Sequence, residues 1–303
     1  MKLIITSIEQ GLIFAILGMG VFLTFKVLSE SDLSVEGTFP FGAFIFAKFV
    51  SMGFSPIIST ISAFCLGTLA GLMTSTLFIK LKIKPILAGI LTATMLYSIN
   101  LRVNGKANVP LFNFDSVFDS VFDSSSTLVI LIALVIAIKI MIDLFLKTET
   151  GYLLLATGDN ETLVRSLGVN SNKYKIMGFM LANGLISLSG ALMAQYQGFA
   201  DITMGTGVMV VGLASVIIGD TLMKRASWFK STSRAIVGAT IYKIMGGIAI
   251  DLGLAPTDLK AISAIIVISF IAYNNLASDL FGKATIKERR EINVKDTKPI
   301  KEF

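Results

Sequence analysis

Long apolar blocks constrain this chain more than any other feature of its sequence. The block from Ser126 to Leu146 contains one lysine and one aspartate. It is about as long as the ~20-residue helix that crosses the hydrocarbon core of a bilayer. Similar blocks recur along the chain, and the mean hydropathy of the whole sequence is +0.79. The sequence therefore predicts a protein that lies inside a membrane.

The apolar blocks predict an all-α integral membrane bundle. A ninth block, Phe39–Val50, is too short for a full crossing and contains Lys48, which favours a re-entrant or broken helix. We expect residues 1–278 to form the transmembrane domain and residues 279–303 a polar cytoplasmic tail. About eight blocks are long enough to cross: Leu3–Leu28, Pro56–Ile79, Ile83–Leu101, Ser126–Leu146, Tyr174–Gln197, Gly205–Leu222, Ser233–Ala249 and Leu259–Ala277.

Charge alternates between the polar gaps. Because cytoplasmic loops of membrane proteins carry an excess of lysine and arginine, the basic gaps predict the cytoplasmic side. With eight crossings this places both termini in the cytoplasm, in a multi-pass protein of the cytoplasmic membrane. The net charge of +6 has this explanation and needs no nucleic acid. The basic gaps include Lys80, Lys82, Lys84, Lys147, Lys173, Lys175, Lys224 and Arg225; the acidic ones include Glu30, Asp32, Glu36, Asp115, Asp251 and Asp258.

Several kinds of chemistry are absent from the sequence. There is no histidine, and a single cysteine excludes an intramolecular disulfide. No phosphate-binding loop, nucleophile elbow or cluster of metal ligands occurs. We therefore expect no enzyme activity, cofactor or metal on this chain. If transport here consumes ATP, a separate polypeptide must hydrolyse it.

The polar stretch Thr148–Asn172 lies on the basic side and is too polar to cross. Its glycines predict breaks, and Asp159 and Asn160 are good N-cap residues. Leu163 and Leu167 then fall on one helical face, and Gly168 suits the residue that ends a helix. The pattern predicts a short capped amphipathic helix, with an ordinary surface connection as the alternative. The glycines are Gly151, Gly158 and Gly168.

These residues resemble a known family. The pattern Thr150-Gly151, then Ala156–Asn160, then Leu167–Asn170 is similar to the cytoplasmic coupling segment of ABC-importer permeases of the branched-chain amino-acid and ribose type. Leu155 stands where an arginine is common in that family. The resemblance also covers Asp32–Gly37, Gly42-Ala43, Ser189–Ala191, Gly212–Ala214 and Ile218–Asp220.

The resemblance implies two inverted halves, alternating access and three protein partners. These are a cytoplasmic ABC ATPase that binds ATP and Mg²⁺, an extracytoplasmic substrate-binding lipoprotein, and a second permease copy. Lys82–Thr92 and Tyr97–Arg102 resemble a branch associated with aromatic amino acids. The resemblance implies an importer for a small polar solute, with an amino acid as the leading expectation. A nucleoside or sugar is the alternative solute, and a stand-alone secondary transporter is the alternative function. The residues expected to couple to the ATPase are Gly151, Gly158, Asp159, Asn160, Glu161, Arg165 and Gly168.

Polar residues within or beside the apolar blocks are candidates for the translocation path. Leu33–Ala43 and Ile202–Ala214 are both Gly/Thr-rich segments that enter apolar runs, as interrupted helices of transporters do. Lys139 is spaced to pair with Asp143, and a purely structural pair is the alternative. The repeated Phe-Asp-Ser-Val stretch at residues 114–124 predicts either an interfacial helix or a solvated loop. The path candidates are Ser34, Glu36, Gly37, Asn100, Gln195 and Lys139.

Overall fold

A computed structural model describes residues 2–118, 127–223, 230–254, 261, 264–270 and 272. Within these residues the fold is helical, with one two-stranded antiparallel ribbon. The helices are α1 (Lys2–Phe22, continued by a π-helix at Leu23–Val27), α2 (Val35–Ser51), α3 (Pro56–Ile79), α4 (Pro85–Asn104), α5 (Thr127–Phe145), α6 (Glu149–Asp159), α7 (Glu161–Ser166), α8 (Ser171–Gln197), α9 (Val208–Leu222, preceded by a 3₁₀ turn at Ile202–Gly205) and α10 (Ser231–Asp251). The strands are β1 (Asn108–Pro110) and β2 (Phe199–Asp201).

Seven helices of the described part are long and apolar enough to cross a membrane. They correspond to the first seven predicted blocks, so the polytopic all-α fold is confirmed. Proline marks two of the helix starts, because Pro56 and Pro85 occupy the first turn, where the missing N–H costs nothing. The eighth predicted block, Leu259–Ala277, lies mostly outside the described residues, as do the tail and most of the repeat at 114–124.

The centre of the bundle is built from α1, α2 and α8. Four fully buried phenylalanines, on α2 and α8, are among the largest side chains of the core. By contrast, α4 and α5 expose many leucines and isoleucines, which suits contact with lipid or with another subunit. Apolar surface on all sides of a bundle is expected of a membrane protein. The four buried phenylalanines are Phe39, Phe44, Phe46 and Phe179.

The short block Phe39–Val50 belongs to a longer helix than the sequence indicated. Helix α2 begins at Val35 and runs without interruption through Pro40 to Ser51, over 17 residues or about 25 Å. Its first turn is polar, which is why hydropathy alone places its start too late. Ahead of it, residues 28–34 are not helical. The interruption therefore precedes the helix, and the crossing consists of an unwound segment followed by α2.

A second unwound segment joins α8 to α9. It leads into a helix that runs in the direction opposite to α2. Residues 198–207 contain β2 and the 3₁₀ turn, and lead into the 15-residue α9. The two unwound segments meet: the Gly207 N–H donates to Glu36 Oε1 at 3.1 Å, and Gly205 packs against the Glu36 carbonyl and Pro40. The predicted similarity of Leu33–Ala43 and Ile202–Ala214 thus corresponds to two helices that start near each other and run apart.

The bundle has two end faces. The upper face carries the β1–β2 ribbon, and the lower face carries α6 and α7. The start of α1 lies at the upper face, because Tyr196, near the end of α8, donates to Glu9 at 2.8 Å and Gly247 packs on Ser7. The end of α1 reaches the lower face, where Val27 contacts Gly158.

The prediction that the N-terminus and the segment Thr148–Asn172 share one side is therefore wrong. It failed because the unwound segment and α2 together complete a crossing that the count omitted. The acidic gap after α1 was also misleading. Glu30 and Asp32 lie near the lower face and within the bundle, and acidic residues contribute little to membrane orientation.

Candidate functional site

The segment Thr148–Asn172 forms two helices rather than one. Gly151 and Gly158 lie inside the 11-residue α6 and do not break it, which corrects the sequence interpretation. Thr148 caps α6 by accepting the Gly151 N–H at 3.2 Å. Both glycines instead allow backbone to approach backbone: Gly151 packs against the Phe145 carbonyl and Gly158 against the Val27 carbonyl. A Cβ at either position would overlap a main-chain atom, so α6 is pressed directly onto the ends of α5 and α1.

Helix α7 matches the predicted capped helix more closely. Asn160 is its N-cap and accepts the Leu163 N–H at 3.0 Å. Gly168, with φ of +77°, follows its last turn in the left-handed region that favours glycine. Asp159 is exposed and is the last residue of α6, so it caps nothing. The segment is thus a helical elbow whose corner lies at Asn160.

A charged cluster ties α7 to the bundle. Arg165 donates to Glu161 at 2.7 Å, and Ser171 donates to the same carboxylate at 2.9 Å. The ammonium group of Lys175, at the start of α8, lies 3.0 Å from Glu161 and 2.9 Å from Glu30. Burial raises the pKa of Glu161, but hydrogen bonds from Lys175, Ser171 and Arg165 outweigh it and hold the pKa below its ordinary value of 4.5. One buried lysine therefore joins α7 to the unwound segment ahead of α2.

A buried hydrogen-bond network continues from that segment into the bundle. Ser34 donates to Asp32 through its N–H at 2.9 Å and its hydroxyl at 2.6 Å. Asn183, in the middle of α8, donates to Asp32 at 2.8 Å and accepts from Thr38 at 2.7 Å. All four residues are fully buried. Since a satisfied buried network favours one geometry, the start of α2 is held firmly against α8.

A cavity of about 530 Å³ lies beside this network, between α2, α4 and the unwound segment 202–206. Three of the predicted path residues line it: Glu36, Gly37 and Asn100. Ser34 belongs to the adjoining network and does not line the cavity. Helices α2 and α4 are in close contact here, because a Cβ on Gly37 would lie 2.6 Å from the Ala93 Cα. The remaining lining residues are Leu33, Pro40, Ile90, Ala93, Thr94, Tyr97, Ile202, Thr203, Gly205 and Thr206.

Two other path candidates lie outside this cavity. Gln195 donates to Thr60 at 3.0 Å and accepts the Val117 N–H at 2.9 Å, so its amide is used to pack α8 against its neighbours. Lys139 pairs with Asp143 at 2.7 Å, as its spacing predicted. That carboxylate also binds Lys230 at 3.1 Å and Thr232 at 2.6 Å. The structure therefore favours the structural alternative for the Lys139 pair.

Sequence reasoning missed Lys175 and Asn183, which connect the two parts of the site. Lys175 was counted only as a basic loop residue, and Asn183 was not considered. Their partners lie far away in sequence, with Glu30 145 residues from Lys175 and Asp32 151 residues from Asn183. An asparagine in the middle of an apolar block is itself a signal, because an amide at membrane depth needs a partner. No cluster of metal-ligating residues occurs in the described ranges.

The elbow on one face and the polar cavity at the meeting point of two unwound segments define a class of protein: a multi-pass membrane permease. The chain belongs to a specific family of that class, because the family model described as "Branched-chain amino acid transport system / permease component" matches residues 3–275. It is therefore a permease of the kind found in ABC import systems.

Individual relatives agree with this assignment. The chain is 46% identical to the tyrosine transport system permease protein of Clostridioides difficile, over 96% of this chain and 98% of that protein. It is 23% identical to the ribose import permease protein RbsC of Escherichia coli, over 88% and 84%. A solved structure of PsaBC from Streptococcus pneumoniae in complex with Fab shares the fold, with a TM-score of 0.50, 16% identity and coverage of 88% and 89%.

Proposed function

We propose that this chain is the membrane subunit of an ABC importer that passes an aromatic amino acid to the cytoplasm. In this proposal a separate ATPase drives the cycle and an extracytoplasmic binding protein delivers the solute. The observation that carries the proposal is a continuous chain of contacts from the lower-face elbow to the polar cavity. The 46% identity to a tyrosine transport permease over nearly the whole chain supports the choice of substrate.

The lower face is the cytoplasmic side in this proposal. Lys80, Lys82 and Lys84 follow the end of α3, and the Phe78 ring near that end lies 5.0 Å from the Lys175 ammonium group at the lower face. Lys147 and Lys173 flank the elbow. The positive-inside rule then assigns this face to the cytoplasm and the start of α1 to the exterior.

The elbow offers the ATPase an apolar contact. Leu163 and Leu167 are 55% and 71% exposed on and just after α7, and Tyr152 on α6 is 61% exposed. Large exposed apolar side chains on an otherwise polar surface segment are typical of a docking site. The same two leucines were predicted to share a helical face. We propose that this face enters a groove on the ATPase.

Movement of the elbow would reach the cavity in three steps. Displacing α7 moves Glu161, which is bound to Lys175, and Lys175 is bound to Glu30. Glu30 lies in the unwound segment that also contains Asp32 and leads into α2. Because α2 forms one wall of the cavity, tilting it changes access to the cavity from either side. This is a rigid-body switch of the kind that transporters with inverted halves use.

A second copy of the chain completes the pathway in this proposal. Helix α4 exposes three polar residues, Thr94, Tyr97 and Ser98, within a span apolar enough to cross. Polar side chains facing lipid are costly, so this surface is better explained by a partner subunit or by water. Two of the three also line the cavity. We propose that a homodimer forms around this side of α4.

Reconstitution tests the proposed function. The permease, its ATPase and its binding protein are placed in liposomes, and ATP-dependent uptake of labelled L-tyrosine is measured. We expect uptake to require all three proteins, and we expect an excess of unlabelled ribose not to compete with it. Uptake by the purified permease alone, driven by an ion gradient, would show a secondary transporter instead.

A further inference from the structure

The cavity contains a carboxylate, that of Glu36, with no cation beside it among the residues that the structure describes. Glu36 lies at the start of α2 and its Oε1 accepts the Gly207 N–H at 3.1 Å. Within the described ranges no lysine or arginine lies within 4.0 Å of it, and none lines the cavity. An ionisable group at this depth in a membrane bundle is expensive to keep. A carboxylate held there with free acceptor capacity is suited to a cationic ligand.

A second polar group in the same cavity is also unsatisfied. Asn100, on α4, is 0% exposed, and both its Oδ1 and its Nδ2 lack a hydrogen-bond partner among the residues that the structure describes. It lines the cavity. An amide buried without partners destabilises the fold, and the protein recovers that free energy only when something binds there.

The remaining lining is mostly apolar or aromatic, with three threonines among it, Thr94, Thr203 and Thr206. Tyr97 lies one helical turn from Asn100, and Ile90 and Ala93 are on the same helix. The cavity volume falls within the range of about 300–1,000 Å³ that is usual for small-molecule sites. A carboxylate, an amide without a partner and an aromatic ring, in a cavity whose other walls are mostly apolar, are complementary to an amine attached to an apolar side group.

We infer that Glu36 and Asn100 form a binding site for a primary ammonium group on the solute. Glu36 accepts a charge-assisted hydrogen bond from the ammonium group, and the Asn100 carbonyl accepts a second. The Asn100 N–H₂ group then donates to another polar atom of the ligand. The inference rests on the proposed function, and adds that the permease itself selects for amines. An anion without an amine is rejected because Glu36 repels it and no basic group of the described cavity lining offsets that repulsion.

Direct binding to the permease–ATPase complex, without the binding protein, tests this selectivity. The probes are L-tyrosine, tyramine and 4-hydroxyphenylpropionate, which keep the ring but differ in their charged groups. We expect tyrosine and tyramine to bind and 4-hydroxyphenylpropionate to bind at least about tenfold more weakly, as the loss of a charge-assisted hydrogen bond predicts. Equal binding of tyramine and 4-hydroxyphenylpropionate would overturn the inference.

Variants locate the effect. Glu36→Gln keeps an acceptor for the Gly207 N–H but removes the charge, so we expect assembly to persist and tyramine binding to fall about 10- to 100-fold. Asp251→Asn is the matched control, because it removes an exposed carboxylate that does not line the cavity. If Glu36→Gln binds tyramine like the wild type, the assignment to Glu36 is wrong. If it fails to assemble, the comparison of probes on the wild type still decides.

The two proposals fail differently. Should the wild-type complex show no ATP-dependent uptake of tyrosine while still binding tyramine, the proposed substrate is wrong and the ammonium site stands. Should uptake be normal in Glu36→Gln, the importer function stands and the ammonium site is wrong.

Discussion

The elbow and the cavity use polar and small residues in opposite ways. In the elbow the carboxylate of Glu161 is bonded by three groups, and Gly158 brings two backbones into direct contact. In the cavity Glu36 has no cation beside it in the described ranges, and the side-chain amide of Asn100 has no hydrogen-bond partner there. A segment that transmits movement needs tight packing and hydrogen bonds on all of its polar groups. A cavity that binds a solute needs hydrogen-bonding groups that the protein itself leaves unpaired. The following changes test this contrast.

Gly158→Val should have the largest effect. A side chain there overlaps the Val27 carbonyl, a main-chain atom that cannot rotate away, so α6 must separate from the end of α1. We expect ATP-dependent uptake to fall about 100-fold, since overpacking at a close contact costs about 1–3 kcal/mol, occasionally more. Gly246→Val is the matched control, because nothing lies within 4 Å of a Cβ built there and its backbone is not in the positive-φ region. Uptake above half the wild-type rate in Gly158→Val would contradict the close contact.

Lys175→Met should have the next largest effect. It keeps the length and apolar part of the side chain but leaves Glu30 and Glu161 without their shared cation. We expect the ATPase to remain bound and to hydrolyse ATP, while uptake per ATP falls about tenfold, as for the loss of a partly buried ion pair. Lys173→Met, two residues away and exposed, should behave like the wild type. Equal uptake per ATP in the two variants would remove Lys175 from the coupling route.

Asp143→Asn should change stability and leave transport selectivity intact. Asp143 is 8% exposed and binds Lys139, Lys230 and Thr232, at a distance from the cavity. Breaking such a cluster costs about 1–3 kcal/mol, so the midpoint of thermal unfolding should fall. The ratio of tyramine to 4-hydroxyphenylpropionate binding should not change. A changed ratio would show that this second carboxylate also contacts the path.

The smallest effect is the pH dependence of the Glu161 cluster. Because its pKa is lowered in the folded protein, its stabilising contribution is present above the ordinary value of 4.5 and is lost as the pH falls through the lowered pKa. The difference in unfolding temperature between the wild type and Glu161→Gln should be constant from neutral pH to about 5 and shrink at lower pH. A difference that disappears already near neutral pH would mean that Glu161 is not held by Lys175.

Local features of this protein were predictable from sequence, and features that depend on distant partners were not. The Asn160 cap, the end at Gly168 and the Lys139–Asp143 pair all join residues within one or two helical turns. The prediction for Gly151 and Gly158 was wrong because glycine is needed there to let a neighbouring helix approach, and not to break the local helix.

The topology error has a related cause. Residues 28–34 and the first turn of α2 contain polar groups that hydropathy counts against a crossing. Their polar atoms are bonded to Lys175 and to Asn183 on α8, about 145–151 positions later in the chain. A hydropathy profile does not include contacts with residues distant in sequence. It therefore omitted the crossing formed by residues 28–34 and α2.

The same distances bear on how the protein is made. When ribosomes have produced only α1 and α2, Asp32, Ser34 and Thr38 have no Asn183 to bond with, because α8 does not yet exist. A half-unwound crossing cannot rest in lipid with open polar backbone. We therefore expect the polar groups of this segment to stay hydrated until synthesis of α8 supplies Asn183 as their partner.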